Sequence, residues 1–268
     1  MINGINGSNS NASLLAQINE KQQTLLEKLA SGKKVNSAAD GAAAQQIIDR
    51  LTSQETGLGQ ALRNVYDGVS LTQVADAGLG SINDDVSRIR ELTVQAGNGI
   101  LSDGDRSAIQ QEIAQLQENI QSTIDNTEFA GRQLLSEDGS INFQIGANAG
   151  QQAGVDTRDT SAGLADILSV DVTTEEGREA ALDAADSAQE FVGDFRTDIG
   201  AAQNRFDSAA RIISTNQVNT AAANSRIQDT DFAQTTSDLA AANVQSQAST
   251  AVQAQANQQQ GQVLALLG

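Results

Sequence analysis

Chemistry in this chain would have to be done by carboxylates. The 268 residues hold 34 Asp and Glu but no histidine and no cysteine. Thiolate or imidazole metal sites, a Cys nucleophile and a Ser-His triad are excluded by that inventory. Carboxylates alone can run acid–base work, but only as a pair held at a set separation. No such pair is marked out here. With one Tyr, six Phe and no Trp there is no aromatic box for a cofactor either. The residue inventory therefore predicts no enzyme activity, no cofactor and no metal. Two short patterns still invite a chemical reading. Ser102-Asp103-Gly104-Asp105 hints at calcium ligation but lacks the rest of the loop pattern, and it reads better as a helix cap. Asn6-Gly7-Ser8 and Asn11-Ala12-Ser13 match the N-glycosylation pattern, which an Asn/Ser-rich start meets by chance.

The charges are unevenly placed. Residues 1–39 carry all four lysines (Lys21, Lys28, Lys33, Lys34) against Glu20 and Glu27, a balance of +2. Residues 40–238 hold the other 32 acidic residues against all twelve arginines, a balance of −20, and residues 239–268 have no charged side chain. An uncharged stretch on so acidic a chain suggests a segment that becomes packed, because unpaired buried charge is costly. The acidic balance argues against nucleic acid, which needs a basic footprint. No apolar run approaches the ~20 residues that span a membrane, so no membrane insertion is expected, and the start lacks the pattern of a cleavable signal.

The elements follow from periodicity. Over Asn64 to Gly104, apolar residues recur at Val65, Val69, Val74, Leu79, Ile82, Val86, Ile89 and Val94, the spacing of one helix face. The pattern predicts a helix from near Ala42 to Ala96. Asn98, Gly99 and Gly104 break it, and a returning helix follows through Arg106, Ile109, Ile113, Leu116, Ile120 and Ile124. Ser37 to Asp40 resembles a capping box for the first of these helices. Before it, Met1 to Ser13 is a poor helix start, and Leu15, Ile18, Gln22, Leu25 and Leu29 make a short coiled-coil seam widened by Leu14 and Leu26. A helix that short is marginal alone and needs a partner.

After the hairpin, Glu128 to Gly131 ends the second helix, and Ser140 to Gly146 alternates as a strand does. Val155 and the run Leu164 to Val172 offer one or two more strands or turns. Thr173 to Glu176 caps a third long helix bearing Ala181, Leu182, Ala185, Phe191, Phe195, Ile199, Ala202, Phe206 and Ile213, which reaches about Ala223. Past a polar break at Ser225 to Thr230, an Ala/Gln-rich helix carries Leu239, Val244, Ala248, Val252, Val263, Leu264, Leu266 and Leu267. The predicted fold is mainly α: an elongated bundle of long antiparallel helices with a small β-hairpin region, plus a terminal two-helix coiled coil. The expected division is residues 1–41 with 226–268 as the coiled-coil domain, and 42–225 as the bundle, with its β region near 130–172.

These stretches also carry a family resemblance. SLLAQINEKQQTLLEKLASGKKVNSAADGAAAQQI (13–47), QALRNVYDGVSLTQVADAGLGSI (60–82), RIRELTVQAGNG (88–99), SAIQQEIAQLQENI (107–120), TEFAGRQLL (127–135), FQIGAN (143–148), SRIQDTDFA (225–233) and QASTAVQAQANQQQGQVLALLG (247–268) occur in that order. Over essentially its whole length the chain resembles bacterial flagellins. It departs in the glycines at Gly4 and Gly7, in Ala30, and in Ala130, where the family commonly has asparagine. The short interval from Asn148 to Val172 resembles a minimal form without a large variable outer domain.

The resemblance implies a secreted, extracellular subunit that polymerises with itself into the filament of the bacterial flagellum for swimming motility. The alternative within reach is the hook–filament junction protein. Implied partners are an export chaperone of the type III route, the filament cap, the hook–filament junction proteins, and the host's flagellin-sensing Toll-like receptor. Arg88 and Leu92, four apart on one helix, and Glu112 on the returning helix near their level match the family's receptor-recognition and subunit-packing patch. Leu15, Ile18, Leu25, Leu29, Val244, Val252, Val263, Leu264 and Leu267 are the expected apolar residues of the terminal assembly helices.

Overall fold

The computed structural model describes residues 3–267, with side chains described for 13–259 and 262. In chain order the elements are α1 (Asn3–Ser31), α2 (Ala38–Ala96), α3 (Asp103–Asn126), β1 (Glu128–Phe129), β2 (Arg132–Gln133), β3 (Gly139–Gln144), β4 (Gln152–Thr157), α4 (Thr160–Gly163), a 3-10 turn (Ile167–Ser169), α5 (Glu175–Gln228) and α6 (Phe232–Leu267). The fold is mainly α, with long helices and two small antiparallel hairpins. No described helix is long and apolar enough to cross a membrane. Two compact units form: residues 1–55 with 218–268, and residues 56–217.

The 56–217 unit is built on the apolar stripe of α2. Val65, Leu79, Ile82, Val86 and Ile89 are fully buried. Val74 and Val94, assigned to that stripe by spacing, are exposed instead, and Leu71, Ala75, Leu92 and Ala96 take their places. Those residues keep the three-four step that the buried neighbours set, whereas Val74 and Val94 fall off it. Helix α3 returns antiparallel and buries Ile109, Ile113, Ile120 and Ile124. Its start is the capping box read from the sequence: the Ser102 hydroxyl accepts from the Asp105 amide, while the Asp105 carboxylate accepts from the Ser102 amide.

Helix α5 covers the other side with small residues, Ala181, Ala184, Ala185, Ala188 and Ala202, punctuated by Phe195 and Phe206. Small side chains allow helices to approach closely. Gly68 marks the tightest point, since a Cβ there would lie 2.7 Å from the Phe206 ring. The other face of that ring region meets Phe143 edge-on, with centroids 5.5 Å apart. Strand β3 supplies Phe143 and pairs with β4 so that Ile141 faces Val155 and Phe143 faces Ala153. The predicted strand is therefore one arm of a hairpin. Leu164 to Val172 forms no strand; Leu164, Ile167 and Val172 turn inward from a coil and a 3-10 turn.

In the other unit, the backbone of α1 is already helical from Asn3, although Asn, Gly and Ser are poor helix formers. Propagation from an established turn is far cheaper than nucleation, so the Leu15–Leu29 segment can extend backward. The regular part of α2 begins after Gly41, whose φ of 161° and ψ of 94° are not helical. The capping box expected at Ser37–Asp40 is half present. The Asp40 carboxylate accepts from the Asn36 and Ser37 amides and from the Ser37 hydroxyl. These amide donors hold its carboxyl below the usual carboxylate value. The break before α6 is tied to the loop after α1: Lys34 N donates to Gln228 O at 2.6 Å, and Thr230 N to Gly32 O at 3.0 Å. Helix α5 thus runs five residues past Ala223, because its last turn is anchored there rather than ending at the polar run.

The two-residue hairpin β1–β2 was not legible in the sequence, which gave only a helix stop. Its turn has positive φ at both central residues, Ala130 at 52° and Gly131 at 78°. That is a type I′ turn, which favours Asn-Gly. An alanine in the left-handed region is strained. Ala130→Asn is expected to stabilise the fold by roughly 0.5–1 kcal/mol, read as a higher urea midpoint with an unchanged slope.

Candidate functional site

Two surfaces carry the residues singled out by sequence. The first lies where α2 and α3 run side by side. Arg88 Nη2 reaches Glu112 Oε1 at 2.8 Å, and Nη1 reaches Glu91 Oε2 at 3.0 Å. These side chains are about half exposed, 49% for Arg88 and 50% for Glu112. Hydrogen bonds to Glu112 first, then to Glu91, make the guanidinium hold its proton more tightly than usual. Exposed pairs of this kind add little stability, so the trio is a surface feature rather than a staple. Leu92 does not join it. At 2% exposure it points into the core, because it lies three residues past Ile89 on the buried stripe. The patch is thus a cation between two carboxylates, with no apolar knob from Leu92.

Sequence reading missed the third wall, supplied by α5. Arg90 Nε pairs with Asp186 Oδ1 at 2.9 Å, and Gln189 Nε2 donates to Ser87 Oγ at 3.2 Å. Ser87, Arg90, Glu91, the exposed Val94 and Gln189 line a shallow groove of about 390 Å³. Antiparallel register between two helices a hundred residues apart leaves no local sequence signal. Further along, Arg196 Nε pairs with Asp76 Oδ1 at 2.8 Å, and the Arg158 guanidinium pairs with Asp198 and lies over the Phe195 ring at 5.4 Å.

The second surface is the helix pair α1 and α6, which pack on each other. Ile18 and Leu25 are buried, and Leu15 and Leu29 half-buried, as the seam requires. Gln22, in the middle of that seam, donates to Ala242 O and to Asn243 Oδ1, both at 3.1 Å. The residues shielded on α6 are Thr235, Asp238, Leu239, Ala242, Ser246, Ser249, Gln253 and Ala256, and all but Asp238 fall on one line. Those on the line alternate steps of four and three, a coiled-coil seam made mostly of small and polar side chains. Val244 and Val252 are not part of it; they are 67% and 55% exposed. Leu14 and Leu26 are exposed as well. The side chains of Val263, Leu264 and Leu267 lie outside the described residues. Among the described residues, the buried Gln253 Oε1 atom has no hydrogen-bond partner.

Long helices around an apolar stripe and exposed apolar residues on a helix pair are the features of a self-associating, structural subunit. Comparison with known proteins names the family. Residues 2–140 match the bacterial flagellin N-terminal helical region, and residues 182–267 match the C-terminal helical region. The flagellin of Halalkalibacterium halodurans is 36% identical, over 97% of this chain and 96% of the relative. The flagellar filament 30.7 kDa core protein of Treponema maltophilum is 35% identical over 100% of both chains. The crystal structure of Bacillus cereus flagellin is similar with a TM-score of 0.52 and 27% identity, covering 60% of this chain and 94% of that one.

The chain belongs to the bacterial flagellin family. It is a structural subunit that polymerises into the flagellar filament used for swimming, in a compact form without a large variable domain. Nothing favours the hook–filament junction alternative.

One carboxylate in the helical face sits at odds with its surroundings. Burial first, then the neighbouring Asp84 charge, raises the Asp85 carboxyl above the usual carboxylate value. A carboxyl with a raised folded-state value binds its proton more tightly in the folded than in the unfolded chain, so its ionised form costs stability above that value. Asp85→Asn is expected to raise the thermal midpoint at neutral pH. The gain should fade as pH falls through the raised value toward the ordinary carboxylate range, measured as the difference between variant and parent melting curves across pH.

Proposed function

We propose that residues 1–41 with 226–268 form the assembly domain, the inner layer around the filament channel, and that residues 42–225, with the β region near 130–172, form the shell around it. The observation that carries this reading is the helix pair itself. Its internal seam is mostly small and polar on the α6 side, yet Leu14, Leu26, Val244 and Val252 stand exposed. Such a pair gains more by burying its outer rows against copies of itself than by its own seam. Val263, Leu264 and Leu267 extend the apolar content of the same helix and belong to the same assembly role. The subunit leaves the cell through the flagellar type III route with an export chaperone and acts outside it, in contact with the filament cap and the hook–filament junction proteins.

The helical face with Arg88 and Glu112 serves a second purpose in this reading. In the monomer it is the patch met by the host's flagellin-sensing Toll-like receptor, and in the filament it packs against a neighbouring subunit. Leu92 supports the patch from below, fixing the helix face that presents Arg88.

Two outcomes test this. Deleting residues 239–268 should abolish polymerisation, seen as loss of sedimentable filaments, while the 56–217 core keeps its cooperative melting; in the full chain, helical circular dichroism should rise as filaments form. Equal helicity in monomer and filament would remove the idea that assembly orders the terminal pair. Separately, Arg88→Ala should cut receptor reporter activity of the monomer with no change in melting temperature, and wild-type filaments should signal less than monomer at equal mass. An unaltered signal in the variant would take the patch out of recognition.

A further inference from the structure

The turn that joins α2 to α3 holds an Asn-Gly pair that filament formation does not explain. Asn98, Gly99 and Ile100 are exposed, Ile100 to 91%. The Asn98 side-chain oxygen accepts from the Ile100 amide at 3.1 Å. This bond folds the carboxamide back along its own backbone. Among the described residues, the Gly99 N–H has no hydrogen-bond acceptor. A Cβ built at Gly99 would meet nothing within 4 Å, so nothing shields that peptide either. Asn36, also followed by a small residue, is the contrast. The amide of Ser37 is engaged by the Asp40 carboxylate at 2.9 Å, and the Asn36 carboxamide donates to Glu27 at 2.8 Å.

We propose that Asn98 is a self-modifying site, at which the side-chain amide is converted to a carboxylate without an enzyme. The Gly99 nitrogen, losing its proton to base, attacks the Asn98 Cγ and forms a new C–N bond. The Cγ–Nδ2 bond breaks, and ammonia leaves with the proton returned from solvent. The five-membered imide is then opened by water at either carbonyl, leaving aspartate or isoaspartate. No oxidant or reductant enters, and water is the single co-reactant. The Ile100 amide that holds the side-chain oxygen stands where negative charge develops on it, as an oxyanion donor does.

The product has consequences at this position. It adds a carboxylate to a turn already carrying Asp103 and Asp105. It also alters the backbone whose Asn98 carbonyl accepts from Leu101 N at 3.1 Å and from Arg106 Nη2 at 3.4 Å. The isoaspartate form lengthens the main chain by one methylene at the tip of the helical hairpin. A filament subunit that is never resynthesised in place would carry this charge as a record of its age.

The test is incubation of the folded full-length protein in warm, mildly alkaline buffer, with peptide mass spectrometry of the 97–105 region. That region is read separately from Asn3-Gly4 and Asn6-Gly7, the other Asn-Gly pairs in the sequence. The expected result is conversion at Asn98 at least as fast as in a synthetic peptide of the same sequence, with part of the product as isoaspartate. Gly99→Ala should slow conversion by about tenfold or more, since crowding the attacking nitrogen disfavours the near-attack arrangement. That variant should melt with the parent, because the new methyl meets open space. Protection of Asn98 in the folded chain relative to the peptide would overturn the proposal, and so would equal rates in parent and Gly99→Ala.

Discussion

The rest of the 56–217 unit depends on one constraint: the apolar stripe of α2 has to be covered from two sides. Ile82, Val86 and Ile89 are buried completely, which a single partner helix does not achieve on a cylinder. Helix α3 covers one flank with isoleucines, and α5 covers the other with alanines and two phenylalanines. A chain without proline can keep α5 unbroken over 54 residues, and α2 unbroken from after Gly41 to Ala96. Where α5 needs bulk, α2 gives way. Phe206 fits because position 68 is glycine, so a side chain on one helix and its absence on the other are a single decision.

The two units use different currencies of packing. The 56–217 core is branched aliphatic and aromatic. The α1–α6 seam is leucine and isoleucine on one helix but mostly threonine, alanine, serine and glutamine on the other, with Leu239 its one large apolar residue among the described ones. Hydrogen bonds from Gln22 fix which residues meet, and they add register more than strength. A contact so built is specific but weak.

Much of this was legible in the sequence, and the misses share a cause. Period and punctuation located α2, α3, α5 and α6, the Ser102 cap and strand β3, because each is encoded within a few turns of chain. What failed was the choice of face. Val74 and Val94 are apolar and nearly in phase, so composition alone placed them inward; burial followed the three-four step instead and left them in solvent. Leu92 erred in the opposite sense, expected at the surface and found in the core. The β1–β2 turn escaped notice because Ala130 is not a residue that announces a left-handed conformation. The α5 contacts of Arg90 and Ser87 were invisible for a different reason: the pairing of Arg90 with Asp186 spans 96 positions and depends on register between helices.

The uncharged stretch from 239 to 268 has an implication for how the molecule senses its surroundings. Its side chains are amides, hydroxyls and hydrocarbons, and none of them gains or loses a proton in water. A joint made through them has no proton linkage of its own. The section from 40 to 238 is the reverse, with 32 acidic side chains. Acidity and ionic strength therefore reach this helix pair only through the charged side chains of α1, Glu20, Lys21, Glu27 and Lys28, and not through the α6 stretch that faces them.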